Sequence, residues 1–314
     1  MNGHVPASGR FAGIGLVEMM VALVIGMLVT LASAAMLATA NADFLNHGAS
    51  ARVNDGGRYA LELIGQALRQ AAYVDPAGGI APTSEEGAGI KGLDARSVTR
   101  EGEGIDDSLP THVNGSDVLA VRFGGAGAGS GDGSVLDCAG FAIGIAEQGW
   151  SIFYVAQGDD GEAELRCKYR TDAGGWHADG VVRGVDTFQV LYGVDMDEPR
   201  DGVPNRYLNA LGVRALDEAI AGQGDTPAER EQDRRRRSYW KRVVAVRVAL
   251  LLHGEAGTRP GTRPLRFDLF GPGYAAGAAD PGTRIDEAAL RPSLRERARR
   301  LFEAAVMLRN RAGA

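Results

Sequence analysis

Cysteine, aromatic side chains, basic charge and long apolar runs are all scarce in this chain, and each scarcity removes a class of function. The only cysteines are Cys138 and Cys167, and without nearby histidines they make a poor zinc site. The five histidines, His4, His47, His112, His177 and His253, form neither H-x-H nor H-E-x-x-H, and no serine sits in G-x-S-x-G. Aromatic residues make up 6% of the chain, and 40 acidic residues outnumber 34 basic ones, for a net charge of -6. A nucleic-acid binder carries the opposite excess. Acids are scattered, and nothing in their spacing positively indicates a paired-carboxylate enzyme site. Glycine is abundant instead: 45 residues predict many turns and long loops. A hydrophobic content of 45% and a charged content of 24% are those of a globular protein, and 314 residues allow one or two domains.

The one long apolar run is residues 16–40, LVEMMVALVIGMLVTLASAAMLATA, in which Glu18 is the only ionisable residue. About 20 such residues in a helix span the ~30 Å hydrocarbon core of a bilayer. The run is longer than the apolar stretch of a cleaved secretory signal. It reads as an anchor behind a polar leader, with Arg10 helping to hold that leader inside. A carboxylate near the start of a transmembrane helix costs several kcal/mol, about 2.5–3.5 at mid-bilayer, unless it is shallow, paired or protonated. Glu18 is therefore either solvated among the headgroups or kept for a partner.

Gly13-Ile14-Gly15-Leu16-Val17-Glu18 ahead of an apolar helix resembles the signal of type IV prepilins. In that family a membrane peptidase cuts after the glycine and methylates the new N-terminal residue. The resemblance implies cleavage between Gly13 and Ile14, N-methylation of Ile14, and an assembly role for Glu18, whose carboxylate would pair with the α-ammonium of a neighbouring subunit. Ile14 stands where Phe is usual, and Phe11 lies three residues earlier. Neither neighbouring glycine does the same: Gly9 would put Glu18 ninth and Gly15 third.

Beyond the anchor, helical spacing continues to Tyr73, with Phe44, Val53, Ala60, Leu61, Ile64, Ala67, Leu68 and Ala71 toward one face. Gly48, Gly56 and Gly57 each weaken a helix by about 1 kcal/mol relative to Ala and predict local bending; Pro76 and Gly78-Gly79 stop it. Residues 75–116 carry no sustained period and read as a loop region. The G-x-G-x-x-G at Gly87-Ala88-Gly89-Ile90-Lys91-Gly92 lacks a flanking strand and helix start, so it reads as a turn rather than a phosphate cradle. Strand signals then recur at Val118–Phe123, Ser134–Ile143, Ser151–Ala156, Glu164–Tyr169, Gly180–Tyr192, Val243–His253, Leu265–Phe270 and Phe302–Arg309. Gly124–Gly133 reads as a flexible connector and 197–239 as a polar, exposed excursion. Strands without helices between them pair antiparallel, with one face on the amphipathic helix. The expected fold is α+β: a long N-terminal helix, transmembrane over 14–40 and amphipathic over 41–74, packed on a β-rich head over 117–314, behind a leader of 1–13.

Three blocks resemble the PilW type of minor pilin. They are Asn54-Asp55-Gly56-Gly57-Arg58-Tyr59-Ala60-Leu61-Glu62 with Leu68-Arg69-Gln70-Ala71-Ala72-Tyr73; Leu165-Arg166-Cys167 with the stretch from Val182 to Asp195; and Trp240 to Leu251 with Leu308-Arg309-Asn310-Arg311. The resemblance implies a structural subunit, not an enzyme and without cofactor, that primes assembly of a type IV pilus or caps it. Twitching motility, adhesion or DNA uptake would be the processes served. Its partners would be other minor and major pilins, prepilin peptidase, the inner membrane and inner-membrane pilus assembly proteins. It would lie in the inner membrane as a single-pass protein with its head in the periplasm, then in the pilus at the cell surface. A minor pseudopilin of a type II secretion system shares the signal and the α+β head. A signal-anchored, periplasm-facing enzyme or binding protein is the reading from another class.

Outside the cytoplasm disulfides persist, so Cys138 and Cys167 are expected to pair, closing a loop of about 30 residues and stabilising by about 3.5 kcal/mol; two buried thiols are the alternative. Asp195, Asp197 and Asp201 gather before Gly202 in a way faintly like a calcium loop, but Pro199 and Arg200 interrupt it, and a solvated acidic turn is the expectation. Arg234–Arg237 is offset by Glu229, Glu231 and Asp233 and reads as a charge patch on a loop, not a nucleic-acid site. Trp150, Trp176 and Trp240 are expected in the core or at strand edges. Asn114-Gly115-Ser116 fits a glycosylation acceptor in pattern alone.

Overall fold

The computed structural model describes residues 15–78, 87–171, 173–259, 263–277 and 279–310; the side chains of 42–47 and 49, Phe44 and His47 among them, also lie outside the description. The chain divides into two units, Met1–Ala49 and Ser50–Ala314. Helix α1, Leu16–Gln70, begins in the first and ends in the second.

In the first unit α1 carries one segment long and apolar enough to cross a membrane, Leu16–Asn41, with mean hydropathy 2.4 and its side chains exposed. In the second unit Ala60, Ile64, Ala67, Leu68 and Ala71 are buried, with Val53 and Leu61 half-buried against the same core. That is the i, i+3, i+4 stripe of an amphipathic helix. α1 is continuous through Gly56 and Gly57. They permit close packing: a Cβ on Gly57 would come within 2.4 Å of Phe302 ring atoms. The helix ends at Gln70, before Pro76, because the sheet captures the chain. The N–H of Ala72 donates to Arg122 O, the N–H of Gly124 donates to Tyr73 O, and Asn310 Nδ2 closes the end by donating to the carbonyls of Arg69 and Ala71.

Two antiparallel sheets form the head. The first has five strands in the order β1-β4-β5-β6-β7: β1 (Ile90–Leu93), β4 (Val118–Gly124), β5 (Gln148–Gln157), β6 (Ala163–Arg170) and β7 (Trp176–Arg183). The second runs β13-β10-β8-β9: β8 (Val185–Val194), β9 (Arg206–Leu208), β10 (Val243–His253) and β13 (Arg299–Met307). Two short pairs lie beside them, β2 (Ser97–Val98) with β3 (Ser108–Leu109), and β11 (Arg266–Asp268) with β12 (Arg284–Asp286). The fold is thus mixed α+β with an apolar N-terminal helix and antiparallel sheets.

Period-two alternation sends Leu119, Val121 and Phe123 of β4 to the core shared with α1, and Val118 and Ala120 to a second cluster with Ile152 and Tyr154. In β10, Val246, Val248, Leu250 and Leu252 join the shared core, while Ala249 and Leu251 face two smaller clusters. Both faces of each sheet are therefore covered, where one covered face was expected. All ten residues of β8 are buried, the polar Asp186, Thr187 and Gln189 among them, so these three need partners inside the head.

Three further differences from the sequence reading have local causes. Gly180–Tyr192 is two strands in different sheets, separated at Gly184, whose φ of 75° turns the corner where a Cβ would strike His253 O. Ser134–Ile143 forms no strand, only the bridge Leu136↔Ala142. Asp137 Oδ1 accepts from the N–H groups of Ala139 and Phe141, and Gly140 N–H donates to Asp137 O, closing a tight turn. Residues 75–116, expected as loop, hold β1, β2 and β3, and the excursion 197–239 holds β9, α2 (Ala210–Glu218) and α3 (Pro227–Arg237). Asn209 caps α2, and Thr226 with Glu229 forms a capping box on α3, with Pro227 at its first position.

Candidate functional site

Glu18 lies in the first turn of α1, and its Oε2 accepts the N–H of Gly15 at 3.1 Å. A carboxylate there complements the positive end of the helix and occupies one of its orphan donors. It is the only ionisable side chain in the span Leu16–Asn41. Gly13 and Ile14, the expected processing residues, lie outside the described residues.

Cys138 and Cys167 form a disulfide, with Cα atoms 5.9 Å apart. Cys167 sits in β6 and Cys138 in the turn at Asp137, so the bridge ties the 125–147 loop to the five-stranded sheet; Cys138 N–H also donates to Ser151 Oγ. Asp195, Asp197 and Asp201 are brought within 4.8 Å of one another. Their oxygens already accept from protein donors: Asp195 from the N–H groups of Asp197 and Gly202, Asp201 from Val203 N–H, and Asp197 from Asn205 Nδ2. That is the bonding of a turn. Arg234–Arg237 lie on α3 rather than a loop and pair within it, Arg234 and Arg235 to Glu231, Arg236 and Arg237 to Asp233. In the G-x-G-x-x-G segment, Ile90, Lys91 and Gly92 belong to β1, so the glycines open no helix. Asn114 Nδ2 donates to Asp186 O, which uses the amide that a glycan would need. Trp150 and Trp176 pack edge to face on the five-stranded sheet, and Trp240 does the same against Tyr192.

Two buried charged groups escaped the sequence reading. At one end of the four-stranded sheet, the register sets His253 opposite Arg299. His253 Nδ1 lies 3.0 Å from Asp186 Oδ1 and its Nε2 lies 3.1 Å from Glu162 Oε2. Arg299 donates to Asp186 at 2.7 Å and to Glu287 at 2.8 Å, Arg297 donates to Glu162, and Arg259 to Glu287. Burial would raise the Glu287 carboxyl, but Arg259, the N–H of Leu265 and the charge of Arg299 outweigh it and hold it below its ordinary range. The only signal in sequence was a single charge inside or at the end of an apolar strand, with partners 67 and 113 positions away.

The second group is acidic. Asp94 accepts from the N–H groups of Ala210 and Leu211, and Asp117 from those of Ala95 and Val190. Asp280 accepts from the Tyr274 hydroxyl. All three carboxyls are buried. Burial pushes Asp94 up to about 6, the N–H groups of α2 opposing and Asp280 adding to it, and burial with the charge of Asp94 pushes Asp117 well above its ordinary range. Beside them the Trp240–Lys241 turn borders two clefts of about 290 and 720 Å³.

The family described as Type IV Pilus-assembly protein W matches residues 152–310, just over half of the chain. A type IV-like pilin from Thermus thermophilus aligns with 82% of this chain and 97% of its own, at 14% identity and a TM-score of 0.37, too distant to guide the reading of any residue. No curated protein matches the chain.

Proposed function

The chain belongs to the family of type IV pilus-assembly protein W, and from that premise we propose that it is a minor pilin, a structural subunit that primes assembly of a type IV pilus or caps it. Its leader is removed after Gly13, Ile14 becomes the N-methylated first residue, and the apolar half of α1 holds the subunit in the inner membrane with the head in the periplasm. Other pilins, prepilin peptidase and the inner-membrane assembly proteins are its partners. The observation that carries this reading is a membrane-length span, Leu16–Asn41, whose only ionisable residue, Glu18, sits in the first turn of α1, joined in one chain to a head that matches the family. Cleavage would leave an α-ammonium at Ile14, and in low dielectric the carboxylate of a neighbouring Glu18 is the counter-charge that offsets its burial and fixes axial register.

Mass spectrometry of the N-terminal peptide, from protein isolated out of its native membrane, tests the processing. The expected peptide begins at N-methyl-Ile14; an intact Met1 leader in cells with active prepilin peptidase would overturn the assignment and make an anchored periplasmic protein the better account. Glu18→Ala tests assembly. Membrane insertion is expected to persist while incorporation into pili is lost, and normal piliation and motility in that variant would remove Glu18 as an assembly contact. Deletion that spares pili but abolishes secretion would assign the subunit to a type II secretion system instead.

A further inference from the structure

Arg247 breaks the apolar run of β10 on the face of the sheet that looks away from α1. The register sets it between Leu191 of β8 and Ala305 of β13. Its guanidinium lies over two rings. Cζ is 5.6 Å from the ring centroid of Tyr207, in β9, and 5.2 Å from that of Phe270, which follows β11. The side chain is half-buried, yet among the described residues it donates no hydrogen bond and joins no ion pair. Arg299, in the same sheet, engages two acids. The nearest acid in the register is Glu303, opposite Ala249; its Oε1 accepts the N–H of Phe270 at 2.7 Å and it does not pair with Arg247.

Rings that hold a guanidinium by its faces stabilise it by about 0.5–2 kcal/mol and restrict its orientation. They leave its N–H donors, which lie in the guanidinium plane, without an acceptor from the head. The backbone of Phe270 supplies a second observation. Its φ of 60° is in the left-handed region, which bulky residues avoid at a cost of about 1–3 kcal/mol. Glu303 holds the N–H of Phe270 there, and Tyr274 meets its ring edge to face at 5.8 Å. An unfavourable backbone is thus fixed in the position that covers Arg247. Around this centre, Ala305 is exposed and Met307 is 54% exposed on the same face of β13. Arg, Tyr, Phe and Met are the residues enriched where proteins meet.

The chemistry of the patch selects its occupant. A preorganised guanidinium fork matches a carboxylate through two parallel hydrogen bonds. Exposed Glu303 beside it disfavours an anionic lipid surface, which would meet that charge as well. A two-fold contact with a second copy would set Arg247 against Arg247. We propose that this face of the four-stranded sheet docks a different protein, which places an Asp or Glu side chain on the Arg247 fork and an apolar side chain over Met307. The contact belongs to the head alone, so it goes beyond the pilin reading and stands whatever becomes of Ile14.

Photocross-linking of the full chain in its native cells tests the contact, with a benzophenone amino acid in place of Met307 and the joined peptide mapped by mass spectrometry. The expected product is one segment of a different protein with an Asp or Glu close to the cross-linked residue. Arg247→Met keeps the bulk of the side chain and removes the fork, and is expected to lower the yield about tenfold or more. Replacing the mapped acid by its amide should do the same, and the two changes together should lose no more than either alone. No cross-link, a mapped segment without an acid, a cross-link to lipid or to a second copy, an unchanged yield in Arg247→Met, or additive losses would each overturn the proposal. Should Arg247→Met fail to fold, the amide change on the partner decides with this chain otherwise unaltered: an undiminished yield sinks the contact.

Discussion

Two groups of buried carboxylates lie in the same head and are neutralised in different ways. Around His253, three acids (Glu162, Asp186 and Glu287) face three guanidinium groups (Arg259, Arg297 and Arg299), and the imidazole bridges two of those acids. Around Asp94, three acids face backbone N–H groups and two phenols. Matching charge with charge fixes geometry, because a bidentate Arg bridging two acids admits few arrangements. Matching it with amides leaves a residual cost that a proton can relieve. The first arrangement welds strand ends of one sheet; the second holds the Asp94 proton above its ordinary range.

The sharpest way to break the comparison is Arg299→Ala. Arg299 is 0% exposed at its side chain and is the link between Asp186 at 1% and Glu287 at 2%. Its loss leaves two buried carboxylates without their shared counter-charge, and breaking such a pair costs about 3–5 kcal/mol. Chemical denaturation of the full chain in micelles, followed by Trp fluorescence, is expected to show a loss in that range. A loss under about 1 kcal/mol would mean that the acids had found other partners and that charge matching is not what holds this end of the sheet.

Much of the frame was legible before any of this. Ala60, Ile64, Ala67, Leu68 and Ala71 announced the buried stripe of α1 by spacing alone, and strands β4, β5, β6 and β10 by their apolar runs. What failed was local or distant. Asp137 and Gly140 carried a turn signal that the surrounding apolar residues outvoted, and Gly184 hid a corner inside what looked like one strand. Gly56 and Gly57 looked like weak points in a helix because Phe302, the reason for Gly57, lies 245 positions away. In α2 and α3 the caps Asn209 and Thr226 were visible, yet a polar composition read as loop. The two charged groups were unreadable because each is assembled from segments that meet only through sheet register. Glu18 stood out for the opposite reason: one charge in a run of apolar residues needs no partner elsewhere to be noticed.

The next effect in size separates the groups by pH. Asp94 has its proton held to about 6 in the folded head, against an ordinary value of 3.8. The folded state therefore binds more protons across that window, and stability falls as pH rises through it, by about 2–3 kcal/mol. Glu287 is held below its ordinary value, so its contribution is present above about pH 4.5 and is lost as pH falls through the lower, folded value. Together they place maximum stability near about pH 4–5, with a decline on each side. Denaturation midpoints across pH 3–8 check this, with Asp94→Asn expected to flatten the upper limb and leave the lower one. A plateau from pH 5 to 8 in the unaltered chain would show that the acidic group carries no net strain.

Lys168 offers a smaller test with the sign of the charge reversed. It is fully buried on the five-stranded sheet, donates to Gly104 O at 2.8 Å and lies over the Trp176 ring. Burial lowers it to about 8, the charge of Asp107 opposing. Between about pH 8 and 10.5 the unfolded chain binds more protons, so stability rises with pH in that window. Lys168→Met orphans Gly104 O, and a cost of about 1 kcal/mol is expected at pH 7. The gap between the two proteins should widen as pH approaches 10, since the variant lacks the rise; a gap that stays constant would mean that Lys168 titrates in its ordinary range.

The smallest effect is expected where charges are matched in solvent. Glu231 accepts from Arg234 and Arg235 on α3 with the same chemistry as the His253 group, but all three side chains are well exposed. Water screens such pairs, and ordering long side chains consumes most of the remaining gain. Glu231→Gln is therefore expected to leave the denaturation midpoint unchanged within error. Raising salt should leave the difference from the unaltered chain equally small. A clear loss would show that α3, despite its exposure, depends on internal ion pairs for its helicity. The difference between the two buried groups would then no longer be one of burial, because matched charge would carry weight at the surface as well.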